Sequence, residues 1–177
     1  MTGVRHLWIA RHAEALADQT GLTAIGVRQA ELLGDRLAGV PFAVVSHSPL
    51  ARAVRTAQLV ASRLPGVPVR MAGELDDRVP TDEPEASAAM ISRFTGPVPG
   101  PADRHELVIT HAFQVAWFVR DALATPADRW RDVIPANTGL TVIRWFPDGR
   151  ARLIVFNDLS HLPPELRFTG SPPDLSL

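Results

Sequence analysis

Three cationic stations recur along the chain, each close behind a short apolar run: Arg11-His12 after residues 4–10, Arg52 after residues 42–45, and His111 after residues 106–110. Histidine beside arginine suits one chemistry in particular. A neutral imidazole can attack phosphorus and carry the phosphoryl group covalently, which splits one difficult displacement into two easier steps. It needs one ring nitrogen free and the other tied by a hydrogen bond that sets the tautomer. Arginine forks can grip non-bridging phosphate oxygens through charge-assisted bonds that tighten as charge shifts in the transition state. His12 therefore reads as a candidate nucleophile, Arg11 and Arg52 as the phosphate grip, and His111 as a further donor to the phosphate. Each station alone is a weak signal, since an Arg-His pair arises by chance and a lone histidine is commonly structural. Their shared position is what carries weight.

Protonating the departing oxygen requires an acid held near the leaving atom. Glu74, Asp76, Asp77, Asp82, Glu83 and Glu85 crowd one segment, most of them as a hydrated acidic loop. Arg55 follows Arg52 by three residues on one helical face, either as solvated surface or as pocket rim. His47 and Ala112 are further rim candidates, and His47 serves equally well as a structural histidine.

The elements that must present these groups alternate along the chain. A strand at 4–10 leads to a helix at 23–37, capped by Thr23 and ended by Gly39, whose buried face is Val27, Ala30, Leu33 and Leu37. A strand at 42–45 precedes a helix in which Ser48 acts as N-cap and Pro49 sits in the first turn, ending near Leu64. A short strand at 68–71, the acidic loop at 73–84 and a helix at 84–94 follow. Next come a strand at 106–110, a helix at 113–123 and a hairpin of 140–146 and 151–156 turned by Pro147-Asp148-Gly149. This order predicts an α/β protein, a three-layer α/β/α sandwich around a mostly parallel sheet. An open sheet of that kind places its ligand at the carboxyl ends of the strands, where all three stations fall.

The 177 residues suit one domain, read as residues 1–162 followed by a Pro-rich tail at 163–177, with a Pro-rich surface bridge at 96–101. A formal net charge of -1 leaves no global basic field for a nucleic acid, and no series of stacking aromatics accompanies the arginines. All 18 basic residues are arginine, which reflects coding bias for the set as a whole. Zero cysteines exclude thiol nucleophiles, thiolate metal sites and disulfides. The histidines show no metal-ligand spacing, so neither metal nor cofactor is expected. No hydrophobic run reaches the length of a signal core or membrane span, which leads to the expectation of a cytoplasmic protein without a membrane partner. The sequence carries no signal of oligomeric state.

Taken together the motifs resemble the histidine phosphatase superfamily, also called the phosphoglycerate mutase-like family. Its Arg-His-Gly appears as Arg11-His12-Ala13, and its Leu-Thr…Gly…Gln-Ala segment as Leu22-Thr23 with Gly26 and Gln29-Ala30. Ser48-Pro49-Leu50 with Arg52-Ala53 and Thr56-Ala57 matches a third motif, and Thr110-His111 matches the second histidine. The resemblance covers residue 4 to about residue 156 and implies a phosphoglycerate mutase-like fold. It implies that His12 is the phosphorylated nucleophile, that Arg11, Arg52 and His111 clamp the phosphate, and that no metal takes part. The implied activity is that of a histidine acid-type phosphatase, a phosphoric monoester hydrolase acting on a small phosphoester or a phosphoprotein. Two departures stand out. Ala13 replaces a glycine whose carbonyl orients the nucleophile, and alanine keeps that carbonyl. The family's acid is a glutamate shortly after a leucine; aligning Leu75 puts Asp77 in that place, with Asp76 and Glu83 as reserves. The stretch from Asp77 to His111 is too short for a large lid, so an open site is implied, which disfavours a mutase that must shield its phosphoenzyme from water. The rivals are such a mutase and a phosphate-binding or protein-docking module that has lost turnover.

Overall fold

The computed structural model describes residues 1–170. Its central sheet has the order β4-β3-β6-β2-β7-β8, from β2 (Arg5–Arg11), β3 (Phe42–His47), β4 (Val69–Met71), β6 (Arg104–Thr110), β7 (Leu140–Trp145) and β8 (Ala151–Asp158). The first four are mutually parallel, and β7 and β8 close the far edge as an antiparallel hairpin. Four helices cover the sheet: α1 (Ala24–Leu37), α2 (Ala51–Ala61), α3 (Pro84–Phe94) and α4 (Ala112–Ala122).

Strand periodicity assigns each helix pair to a face. Leu7, Ile9 and Val108 point to one side, where Met90 and Phe94 of α3 and Val115, Phe118 and Val119 of α4 close a core. Ala10, Val45, Leu107 and Ile109 point to the other, against Leu33 and Leu37 of α1 and Ala53, Ala57 and Val60 of α2. Because successive residues of a central strand face opposite layers, both sets are apolar and the strands read as continuous hydrophobic runs. Each fully buried Leu or Ile contributes about 2 kcal/mol. The result is the three-layer arrangement, and its fold class is the expected one.

Several local expectations are corrected. The strand expected at 42–45 runs on to His47, because parallel pairing with β6 continues through Ser46↔Val108 and His47↔Ile109 and buries those polar residues. Ser48 does not cap α2, which starts at Ala51 with Leu50 at the cap position and no side-chain cap bond. Its hydroxyl is held elsewhere, by His111. The bridge at 96–101 is more than surface: β5 (Val98–Pro99) pairs with β1 (Thr2–Gly3), and Val98 is buried. From Pro163 the chain packs back onto the domain as far as Gly170, with Leu166 and Phe168 against Ala136, Leu159 and Leu162. The rest of the Pro-rich stretch lies outside the described residues.

Candidate active site

His12 leaves β2 with the sheet ladder still engaged, its backbone N–H donating to Thr110 O at 2.8 Å. That bond aligns the ends of β2 and β6, and so sets the two histidines side by side with ring centroids 5.2 Å apart. His12 Nδ1 lies 2.8 Å from Ala13 O, where it can only donate, and Arg52 Nε donates to His12 Nε2 at 3.1 Å. The lone pair is therefore on Nε2. Burial, helped by the neighbouring Arg11 and Arg52 and opposed by the bond to Ala13, lowers the His12 pKa from 6.5 to about 3. The ring is a neutral imidazole at physiological pH, as a nucleophile requires. Alanine serves at position 13 because its backbone is not in the left-handed region where glycine would be favoured.

Arg52 sits in the first turn of α2, 8% exposed, and donates from Nη2 to Asp77 Oδ2 at 2.6 Å. His111 Nδ1 stands 3.7 Å from that same oxygen. On its other side His111 Nε2 meets Ser48 Oγ at 2.7 Å, while Leu50 N–H donates to that hydroxyl at 3.2 Å. The Asp77 oxygen facing Nδ1 favours the N–H there, and Nε2 then accepts from the Ser48 hydroxyl. Burial, with His12 and Arg52 adding like charge, takes the His111 pKa to about 2, so this ring is also neutral. Arg11 is anchored from Nη1 to Pro135 O at 3.1 Å, and its Nε is buried without a partner among the described residues.

The three acid candidates separate clearly. Asp76 Oδ1 accepts from the Asp77 backbone N–H, and its other oxygen faces Arg78. Glu83 is taken by Arg78 at 2.6 Å. Asp77 alone of the three contacts both Arg52 and His111. Its loop is pinned on both sides: Thr110 Oγ1 donates to Leu75 O at 2.8 Å, and Gln114 Nε2 to Arg78 O at 2.9 Å. Leu75 is fully buried. These ties bring the loop close enough for Asp77 to meet Arg52.

The rim candidates scatter. His47 turns its ring to Ser48 O at 2.8 Å. Arg55 is exposed, with Gln58 Oε1 at 3.5 Å as its contact, so its solvated-surface reading holds. Ala112 opens α4 beside His111 and lines an apolar cavity of about 430 Å³.

Several supporting residues were given no role by the motifs. Thr56 Oγ1 donates to Arg52 O at 2.7 Å and accepts from Ala13 N–H at 3.1 Å, tying α2 to the nucleophile loop. Gln29 is fully buried; it accepts from Glu14 N–H and donates to Leu166 O and Thr169 Oγ1. Gly26 lets α1 approach that loop, for a Cβ there would lie 2.0 Å from Glu14 O. Asn137 Nδ2 donates to His12 O at 2.8 Å. Thr138 holds a left-handed backbone, φ 54°, a strained state for a β-branched residue, while its N–H bonds Arg11 O. His161 Nε2 contacts Thr138 Oγ1 at 3.2 Å, which gives that histidine a bracing place. Gly26, Gln29 and Thr56 lie within the family-like motifs, and Asn137-Thr138 are polar residues preceding a strand; His161 carries no sequence signal. Among the described residues no three His, Asp or Glu side chains form a group that could hold a metal ion, and no helix is long and apolar enough to cross a membrane.

Two neutral histidines, two arginines and a carboxyl group at the strand ends define a phosphoryl-transfer site. The sequence profile of the histidine phosphatase superfamily (branch 1) matches residues 7–82. The chain is 28% identical over 193 residues to the Caenorhabditis elegans serine/threonine-protein phosphatase Pgam5, mitochondrial, covering 95% of this chain and 68% of that protein. It is 30% identical to the Rattus norvegicus protein of the same name, over 91% of this chain and 65% of that one. Its fold is similar to that of a phosphoglycerate mutase from Plasmodium falciparum, with TM-score 0.72 and 23% identity over 91% of this chain and 95% of the other. Residues 7–82 thus match the histidine phosphatase superfamily, and nearly the whole chain is similar to proteins named as phosphatases.

Proposed function

We propose that the protein is a metal-independent phosphoric monoester hydrolase in which His12 Nε2 takes the phosphoryl group and Asp77 handles the leaving-group proton. The observation that carries it is the His12 ring, neutral, with Nδ1 tied to Ala13 O and its Nε2 lone pair held by Arg52. An arriving phosphate competes with Asp77 for Arg52 and frees that carboxyl group toward the leaving oxygen. Arg11, Arg52 and the Nδ1–H of His111 then hold the non-bridging oxygens. Proton donation from Asp77 releases the alcohol, and the same carboxylate next activates water against phosphohistidine. Positioning and electrostatics supply most of the acceleration. The substrate class is a phosphomonoester, either small or borne on a protein, and the serine/threonine-protein phosphatase relatives support the latter.

Turnover of p-nitrophenyl phosphate under chelator tests the proposal. His12→Ala is expected to lose at least about a thousandfold in kcat. A phosphoenzyme stable to alkali and lost in acid should accumulate in wild type. Turnover unaffected by the substitution sinks the assignment.

A further inference from the structure

The wall next to the proton donor is apolar. Val79, two residues beyond Asp77, and Ala112, which follows His111, line a cavity of about 430 Å³ together with Phe113, Trp130, Val133 and Ile134. That volume lies within the range of small-molecule sites, about 300–1,000 Å³. Phe113 and Ile134 leave 40% and 46% of their surface in water. Exposed apolar groups gathered beside a reacting centre mark a surface that becomes covered on binding. Trp130, 4% exposed, stands edge-on to Phe113 with centroids 5.0 Å apart, and the Arg131 guanidinium lies 5.3 Å from its ring. Its indole N–H is buried with no acceptor among the described residues, whereas buried donors are nearly always paired.

We propose that this cavity is the leaving-group subsite, and that it takes a phosphomonoester whose alcohol bears a flat apolar group. The proposal rests on the phosphatase reading, in which Asp77 protonates the leaving oxygen. The alcohol then departs on the Asp77 side of phosphorus, against Val79 and Ala112. A small molecule fits this wall better than a phosphoprotein segment. Every peptide unit brings a donor as well as an acceptor, and the lining side chains offer donors alone.

The test compares 3-phenylpropyl phosphate with ethyl phosphate, both esters of primary alcohols, so that the leaving groups match in acidity. Wild-type kcat/KM should favour the phenylpropyl ester by about tenfold or more. Ile134→Asn and Phe113→Ser alter exposed positions that tolerate them, and each should bring that ratio toward one. A wild-type ratio near one overturns the subsite, as does faster turnover of a phosphoserine peptide than of the phenylpropyl ester. If neither ester is hydrolysed, the phosphatase reading fails separately. Binding of 4-phenylbutylphosphonate against ethylphosphonate then still decides the subsite, and equal affinities overturn it.

Discussion

Arginines gather at both ends of strands β2 and β6, and the two ends treat them differently. At the amino ends Arg5 and Arg104 face each other in register, and both bind Glu106, whose side chain is 8% exposed. Arg93 nearby is taken by Glu74 at 2.6 Å. Arg5, Arg93, Arg104 and Glu106 line a cavity of about 280 Å³ with Arg70, and two of its arginines share the one carboxylate set in a strand. At the carboxyl ends Arg52 is balanced by Asp77, which sits on a loop and is 35% exposed. An anion can turn the partly exposed Asp77 side chain away from Arg52, whereas Glu106 is buried between two arginines. Arginine content alone does not mark an anion site; the exposure of the counter-charge does.

The contrast is broken most directly by removing each counter-charge. Asp77→Asn should lower kcat on an alkyl phosphate by about a hundredfold while inorganic phosphate still binds, read by steady-state kinetics and calorimetry. Unchanged kcat with measurable turnover would mean that the acid lies elsewhere. Glu106→Ala should act on stability instead, costing about 3 kcal/mol in denaturant unfolding, the low end for a buried pair because Arg104 is half exposed. An unmoved unfolding midpoint would erase the distinction between the two ends.

Smaller effects sharpen the comparison. Ser48→Ala should cut kcat about fivefold through loss of the bond that holds the His111 ring. It should also alter the pH profile, and Ser48→Thr should restore both. No recovery with threonine would reduce Ser48 to a packing role. The two catalytic-end histidines also tie stability to pH. Free in the unfolded chain they titrate near 6.5, whereas the folded His12 titrates at about 3 and His111 at about 2. The unfolded state binds these protons first, so their contribution is complete above pH 6.5 and is lost as pH falls from there toward about 3. Thermal melts should show Tm declining over that window, and a double His12→Asn, His111→Asn variant should flatten the decline.

The alternation of strands and helices was legible in the sequence because hydrophobic periodicity and cap residues act locally. Thr23 caps α1 through Gly26 N–H, and Gly149 takes the positive φ of the hairpin turn at 83°. Ser48 misled for the same reason. Its local sequence makes it a cap, yet a histidine 63 positions away holds its hydroxyl. The apolar cavity left no trace in the pattern, since Trp130, Val133 and Ile134 come from a non-periodic loop that packs on α4.

Sequence alone could settle the order of elements, the three cationic stations and the place of His12 after the first long strand, all of which depend on residue type and short spacing. Only the folded chain could decide which of several acids meets Arg52, which nitrogen of each histidine carries the proton, and what surface waits beside the leaving oxygen. Those depend on contacts between residues far apart in the chain. The register of β2 against β6 and the pinning of the acidic loop from both sides bring these residues together.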